Sequence, residues 1–138
     1  MKVLDASVVL KWYLQEEDSE LALGFRQKFI SGSFNLAFPD LIIYELPNAL
    51  RYEKSFSLNA TYEAVGALID LGVDIIVPTR SLVRNALELS FERNITFYDA
   101  SYIALALELG YDFVTADVKL FKKIKSLKLA KLLSESIP

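Results

Sequence analysis

Two stretches of this chain share one pattern, and it restricts the possible folds more than any other feature. L-G-V-D-I-I-V at 71–77 and L-G-Y-D-F-V-T at 109–115 each follow a segment of helical character. In both, Leu-Gly leads into a bulky residue, an aspartate and an apolar run. A glycine just past the last periodic residue is a helix stop, and a short apolar run after it suits a buried strand. The two stretches read as similar αβ units, not as a true repeat.

The same alternation extends over the rest of the sequence. Lys-Val-Leu at 2–4 forms a short strand ending at Asp5, and A-S-V-V-L-K-W-Y-L suits a helix with Asp5 or Ser7 as N-cap. Glu16, Glu17 and Asp18 sit in a turn or at the start of the next helix, which continues through Leu21, Phe25, Lys28 and Phe29 to Gly32. F-N-L-A-F-P-D forms a second strand closed by Pro39, after which Asp40 caps a long helix, L-I-I-Y-E-L-P-N-A-L-R-Y-E-K. Pro47 inside that helix removes a backbone hydrogen bond and crowds the carbonyl of residue 43. The helix is therefore kinked there, or its regular part begins near Tyr44. Asn59 opens a helix that stops at Gly72, V-D-I-I-V is a third strand ended by Pro78, and Thr79 or Ser81 caps a helix to about Asn94. Thr96 caps the next helix, and a lysine-rich helix and a short edge strand complete the chain.

Strands alternating with helices predict a parallel sheet with helices on both faces. Right-handed crossovers then place every strand's C-terminal end along one edge. The expectation is a single α/β domain over residues 1–138, built as three layers, α/β/α, around a mainly parallel sheet of four or five strands.

Absences narrow the chemistry. Among 138 residues there is no His and no Cys, which removes the commonest general base, any thiolate nucleophile and any cysteine-bound zinc. The five glycines stand singly, so no phosphate-cradling glycine motif can be written. What remains is carboxylates, hydroxyls, Lys, Arg, Tyr or a bound ion. No apolar run reaches the roughly 18 residues a membrane span needs, and Asp5 interrupts any signal-peptide core, so the expected location is the cytoplasm. A net charge of −3 argues against a general nucleic-acid coat protein but is compatible with a nuclease whose carboxylates recruit a cation.

Four acids are the candidates. Asp5 and Asp117 each follow a strand and so fall on the C-terminal edge, where open α/β sheets bind ligands. Asp99 is the third helical residue if Thr96 is the N-cap, and Glu45 lies in the second turn of its helix, with Asn48 on the same face. Each has an ordinary structural explanation: Asp5 and Asp117 as N-caps, Thr96-x-x-Asp99 as a capping box, Glu45 as a solvated acid. Their neighbours weaken it. Asp5 interrupts V-L and V-V-L, Glu45 lies between I-I-Y and L-P, and Asp99 lies between F-Y and A-S-Y-I-A. Buried carboxylates without partners are costly, and a divalent cation is the simplest remedy. Oxygen-only ligands at a wet cleft select Mg²⁺ or Mn²⁺, which orient a phosphate and acidify a bound water. Thr115 faces the same way as Asp117 on a strand and either holds such a water or satisfies a backbone group; Ser7 and Asn48 are weaker candidates of this kind. The lysines at 119, 122, 123, 125, 128 and 131 read first as a solvated face, and otherwise as a phosphate-contacting flank.

With these residues in place the chain resembles the PIN-domain ribonucleases, particularly the VapC-type toxins of toxin–antitoxin pairs. The matching elements, in order, are V-L-D-A-S-V, Y-E-L-P-N-A-L, Y-D-A-S-Y-I-A-L-A and T-A-D-V-K-L, spread over almost the whole chain. The resemblance implies that Asp5, Glu45, Asp99 and Asp117 form an acidic quartet binding one or two divalent metals, with Thr115 and Asn48 matching the family's accompanying polar residues. It also implies endonucleolytic hydrolysis of RNA, a homodimer or higher homo-oligomer, and a small antitoxin that blocks the site. The competing readings are an RNA-processing or structure-specific DNA nuclease with the same site, and a non-catalytic module whose acidic cleft grips an Arg-bearing peptide.

Overall fold

In a computed structural model describing residues 1–138, five strands form one sheet in the order β3-β2-β1-β4-β5. The strands are β1 (Lys2–Leu4), β2 (Leu36–Pro39), β3 (Asp74–Ile76), β4 (Asp112–Thr115) and β5 (Ala130–Leu132), and every pairing is parallel. The helices are α1 (Ala6–Leu10), α2 (Ser19–Ile30), α3 (Ile42–Leu50), α4 (Leu58–Asp70), α5 (Arg80–Arg93), α6 (Phe97–Leu109) and α7 (Val118–Ile124). The expected three-layer α/β/α arrangement is therefore present, with five strands and no antiparallel member.

The strand order places the site. From β1 the chain moves outward to β2 and β3, then returns across the sheet to β4 and continues outward to β5. Right-handed crossovers in opposite directions put α1–α4 on one face and α5–α7 on the other. The order reverses between β1 and β4, and at such a switch point the loops part to leave a crevice at the strands' C-terminal ends.

Helix α6 organises the second face. Ala100 and every residue from Tyr102 to Ala106 are buried, so the middle of the helix is enclosed on all sides, while Phe97, Tyr98, Leu107 and Leu109 at its ends are exposed. It packs on α5 and against β1, β2 and β4, and the alanines at 100, 104 and 106 allow that close approach. Gly110 ends it with φ +70°, a conformation that costs glycine little. Because α6 feeds directly into the parallel strand β4, its N-terminus, and Asp99 with it, lies at the sheet's C-terminal edge. Thirty-one buried apolar residues form one continuous core, with Val3, Leu4, Phe38, Phe113 and Ile103 at its centre.

Three boundaries differ from the sequence expectations. Asp40 makes no capping bond: Leu41 holds the N-cap position in helical conformation, and Asp40 contributes only its carbonyl, which accepts from the Ile43 N–H at 3.0 Å. The helix also ends at Leu50, four residues early, and Glu45 lies in its first turn, where the helix dipole favours negative charge. Pro47 is accommodated inside α3, whose regular part begins before Tyr44; the Pro47 carbonyl accepts from Arg51 N–H at 3.0 Å, closing the last turn. Finally, Ser57, not Asn59, opens α4, its hydroxyl accepting from Ala60 N–H at 3.1 Å. Of the alternatives left open for α5, Thr79 is the cap, accepting from Leu82 N–H.

Candidate metal centre

The β1–β4 register pairs Leu4 with Val114, so the next residues, Asp5 and Thr115, are brought side by side as the two strands end. Thr115 is fully buried and Asp5 is 4% exposed. The Thr115 hydroxyl donates to Asp5 Oδ2 at 2.6 Å and accepts from Asp117 N–H at 3.1 Å. Ser7 mirrors it: its hydroxyl donates to Asp5 Oδ1 and accepts from Ala116 N–H at 2.9 Å. The Ser7 N–H also donates to Asp5 Oδ1, so Asp5 is the N-cap of α1. Two hydroxyls thus tie the turn after β1 to the turn after β4, with the Asp5 carboxylate held between them. Of the two roles open to Thr115, backbone satisfaction is the one seen, and its single proton is committed to Asp5.

Asp117 caps α7, with Oδ1 accepting from Leu120 N–H at 3.0 Å. Its side chain lies on the exposed rim of the crevice. Thr96 caps α6 by accepting from Asp99 N–H at 3.0 Å, which leaves Asp99, in the first turn, half-buried. Across the crevice Glu45 is also half-buried, and its Oε1 accepts from the Tyr102 hydroxyl at 2.6 Å. The capping roles anticipated for Asp5 and Asp117 are real, and they coexist with placement at one crevice. Asn48 is exposed and lines, with Glu45, Tyr44 and Tyr98, a recess beside the acids.

The electrostatics link these residues. Burial pushes the Asp5 carboxyl up to about 7, against the hydrogen bonds from Ser7 and Thr115, and the nearby Asp99 charge adds to the rise. Burial also raises Glu45, partly offset by the Tyr102 hydrogen bond and reinforced by Asp99. Asp99 itself is raised by burial and by Asp117, while a hydrogen bond with Thr96 and the Lys123 ammonium act the other way. Asp99 is therefore the acid that all three others have in common. None of the four takes part in an ion pair; those present are Lys2–Asp112, Lys11–Glu16 and Arg84–Glu88.

Such a site holds more negative charge than the protein neutralises. No three of its carboxylates are drawn together into a ready ligand cluster, as mutual repulsion dictates without a cation between them. Glu45 Oε2 and Asp117 Oδ2 accept no direct hydrogen bond in the structure. The donor set is all oxygen, which fits a hard divalent ion such as Mg²⁺ or Mn²⁺.

Two residues, one of them in the lysine-rich stretch already noted, have contacts at the site that were not anticipated. Tyr102 is buried with one polar atom, and its hydroxyl, which burial and the surrounding acids push far above its ordinary pKa, is a donor that stays protonated. A tyrosine one turn after Asp99, leading the aliphatic run I-A-L-A-L, was the available signal, because a buried tyrosine hydroxyl requires a partner. Lys123 had none: its Nζ donates to the Asn94 carbonyl at 2.7 Å, closing the end of α5, and only the fold brings its charge near Asp99.

A parallel α/β sheet with four acids and no ion-pair partners for them at its switch point is an open α/β fold whose ligand-binding edge is acidic. Residues 2–127 match the family model described as the PIN domain, and the chain belongs to the PIN-domain family. It is 30% identical over 129 residues to Ribonuclease VapC3 of Pyrobaculum aerophilum, covering 91% of this chain and 95% of that protein. It is also similar to the crystal structure of PAE2754 from the same organism, with a TM-score of 0.71 at 26% identity over 96% of this chain and 83% of the other. A chain of a toxin–antitoxin complex from Klebsiella pneumoniae shares the fold, with a TM-score of 0.72 at 12% identity and coverage of 96% and 98%.

Proposed function

We infer that this protein is a metal-dependent endoribonuclease, the toxin of a toxin–antitoxin pair, with Asp5, Glu45, Asp99 and Asp117 as the residues that hold one or two Mg²⁺ or Mn²⁺ ions. The observation that carries the reading is the crevice itself. Four acids on four different elements lie around the strands' C-terminal ends at the switch point, each of the other three interacts with Asp99, and none has a basic ion-pair partner. A divalent ion held there supplies charge to a bound phosphodiester and acidifies water, so that hydrolysis proceeds without histidine or a covalent intermediate.

The protein's own residues have distinct parts in this reading. Asp5 is immobilised by Ser7 and Thr115 and forms the fixed wall. Asp99, whose charge bears on each of the other three acids, would be a ligand shared between them. Asp117 at the exposed rim would help hold the cation that offsets an incoming phosphate's charge, and Asn48 beside Glu45 would donate to a phosphate or ribose oxygen. RNA as substrate is supported by the ribonuclease relative, and an antitoxin by that relative's VapC name together with the toxin–antitoxin complex of the same fold. Homo-oligomerisation is supported by an apolar recess between α3, α5 and α6, walled by Leu41, Tyr44, Leu82, Phe97 and Tyr98. No helix is long and apolar enough to cross a membrane.

The test is cleavage of matched RNA and DNA oligonucleotides by purified protein with Mg²⁺, Mn²⁺ or chelator. RNA is cut only with metal, and Asp99→Asn lowers the rate by about 10³-fold or more, about 4 kcal/mol of transition-state stabilisation, with an unchanged circular dichroism spectrum. Retained activity in Asp99→Asn overturns the site assignment. Preference for DNA selects the alternative nuclease, and metal-independent peptide binding with no cleavage selects the non-catalytic module.

A further inference from the structure

Glu45 and Asp99 lie on different helices, on opposite faces of the sheet, and reach the same crevice only at its mouth. Nothing in the backbone of α3 fixes where the longer, more flexible glutamate side chain points. Pro47 follows two residues later in the same helix, so the local hydrogen bonding there is one bond short. The structure supplies a fixing element from the other side. Tyr102, one turn beyond Asp99 on the enclosed helix α6, reaches Glu45 across 57 positions of sequence and donates at 2.6 Å.

We propose that Tyr102 is a positioning residue for the metal centre: its hydroxyl holds Glu45 Oε1 and thereby sets the spacing between Glu45 and Asp99, leaving Oε2 for the cation. This rests on the reading of the quartet as a metal site. The ring is 1% exposed, and the hydroxyl has Glu45 as its one hydrogen-bond partner. Packing alone would be served by phenylalanine. A tyrosine adds one donor that orients a carboxylate without neutralising it, whereas Lys or Arg at this place would supply the positive charge that the crevice otherwise takes from an ion. Hydrogen-bond partners of metal-ligating carboxylates fix ligand orientation, and their loss typically weakens metal affinity by about 10- to 100-fold.

The experiment is isothermal titration of the full chain with Mn²⁺ alone, comparing wild type, Tyr102→Phe, Glu45→Gln and Asp99→Asn, with melting temperatures measured alongside. Tyr102→Phe is expected to melt within a few degrees of wild type and to bind Mn²⁺ about 10- to 100-fold more weakly. Its RNA cleavage should fall by the same factor at limiting Mn²⁺ and recover at saturating Mn²⁺ with KM for RNA unchanged. In a Glu45→Gln background the same substitution should add no further loss. Mn²⁺ affinity within twofold of wild type overturns the proposal, as does a Tyr102→Phe protein that fails to fold, since the hydroxyl would then be a structural requirement. If Glu45→Gln and Asp99→Asn also bind Mn²⁺ normally, the metal-site reading itself fails; if only Tyr102→Phe does, the failure is confined to Tyr102.

Discussion

Val77 and Thr115 hold the same slot in two similar stretches of chain. Each is the seventh residue of a Leu-Gly-x-Asp run, and each follows a glycine at positive φ, +83° at Gly72 and +70° at Gly110. Their surroundings are inverted with respect to their chemistry: the apolar Val77 is 70% exposed, and the polar Thr115 is 0% exposed. The cause is the sheet. β3 is an edge strand paired only with β2, whereas β4 lies between β1 and β5. The end of β3 leads into Pro78 and open solvent. The end of β4 is covered by the turn carrying Asp5 and Ser7, which supplies the partners a buried hydroxyl needs. One local pattern thus builds two equal junctions, and position in the sheet brings only one of them against Asp5.

Substitutions at the paired positions test this directly. Thr115→Val removes the donor to Asp5 Oδ2 and the acceptor of Asp117 N–H. It should lower RNA cleavage by about 10- to 100-fold and cost about 1–3 kcal/mol of stability in urea denaturation. Val77→Thr in the other unit should change both by amounts within error. A Val77→Thr protein as impaired as Thr115→Val would mean that the junctions are functionally alike.

A pH effect is expected from Asp5, the buried acid that Thr115 of the second unit holds. Asp5 in the metal-free folded protein is raised from 3.8 to about 7, so between those values the folded state binds the extra proton. Stability therefore falls as pH rises through that window, with a slope of up to about 1.4 kcal/mol per pH unit. Metal-free protein should melt about 5 °C or more higher at pH 5 than at pH 7.5. Asp5→Asn should flatten the dependence, and saturating Mn²⁺ should reverse it by favouring the charged carboxylates. A melting temperature that rises with pH without metal contradicts the burial-driven shift.

The smallest effect is expected where the two units are alike. A Cβ at Gly72 or Gly110 would meet no atom within 4 Å, so each Gly→Ala substitution costs only the left-handed backbone penalty, about 1–2 kcal/mol. The two losses should agree in a denaturant titration. A much larger loss at Gly110 would show that the second junction carries strain of its own.

Much of this was legible in the sequence because it is local. The αβ junctions, the Thr79 and Thr96 caps and the strand-end positions of Asp5 and Asp117 follow from spacing and from residues a few positions apart. Once a parallel sheet is inferred, two of the four acids fall on one edge with no further information. What was not legible is contact across the chain. The start of α3 depends on Asp40 N–H bonding to the Ile76 carbonyl of the neighbouring strand's end, which draws Asp40 away from a capping role. The direction of Glu45 depends on a tyrosine on another helix, and the charge beside Asp99 depends on Lys123 closing the end of α5. Periodicity cannot carry such pairings, since each joins elements whose separation is set by the finished sheet.

The enclosure of α6 bears on how such a protein could be switched off. A helix with neighbours on every side cannot slide by a turn or rotate without emptying the core around it. Asp99 is anchored to that helix, and Glu45 is tethered to it through Tyr102. In the proposed site these two acids are thus held by the core itself, one directly and one through a hydrogen bond. On the proposed reading, restraint would come from outside, from a partner that plugs the mouth of the crevice, and not from a rearrangement of the helix that carries Asp99.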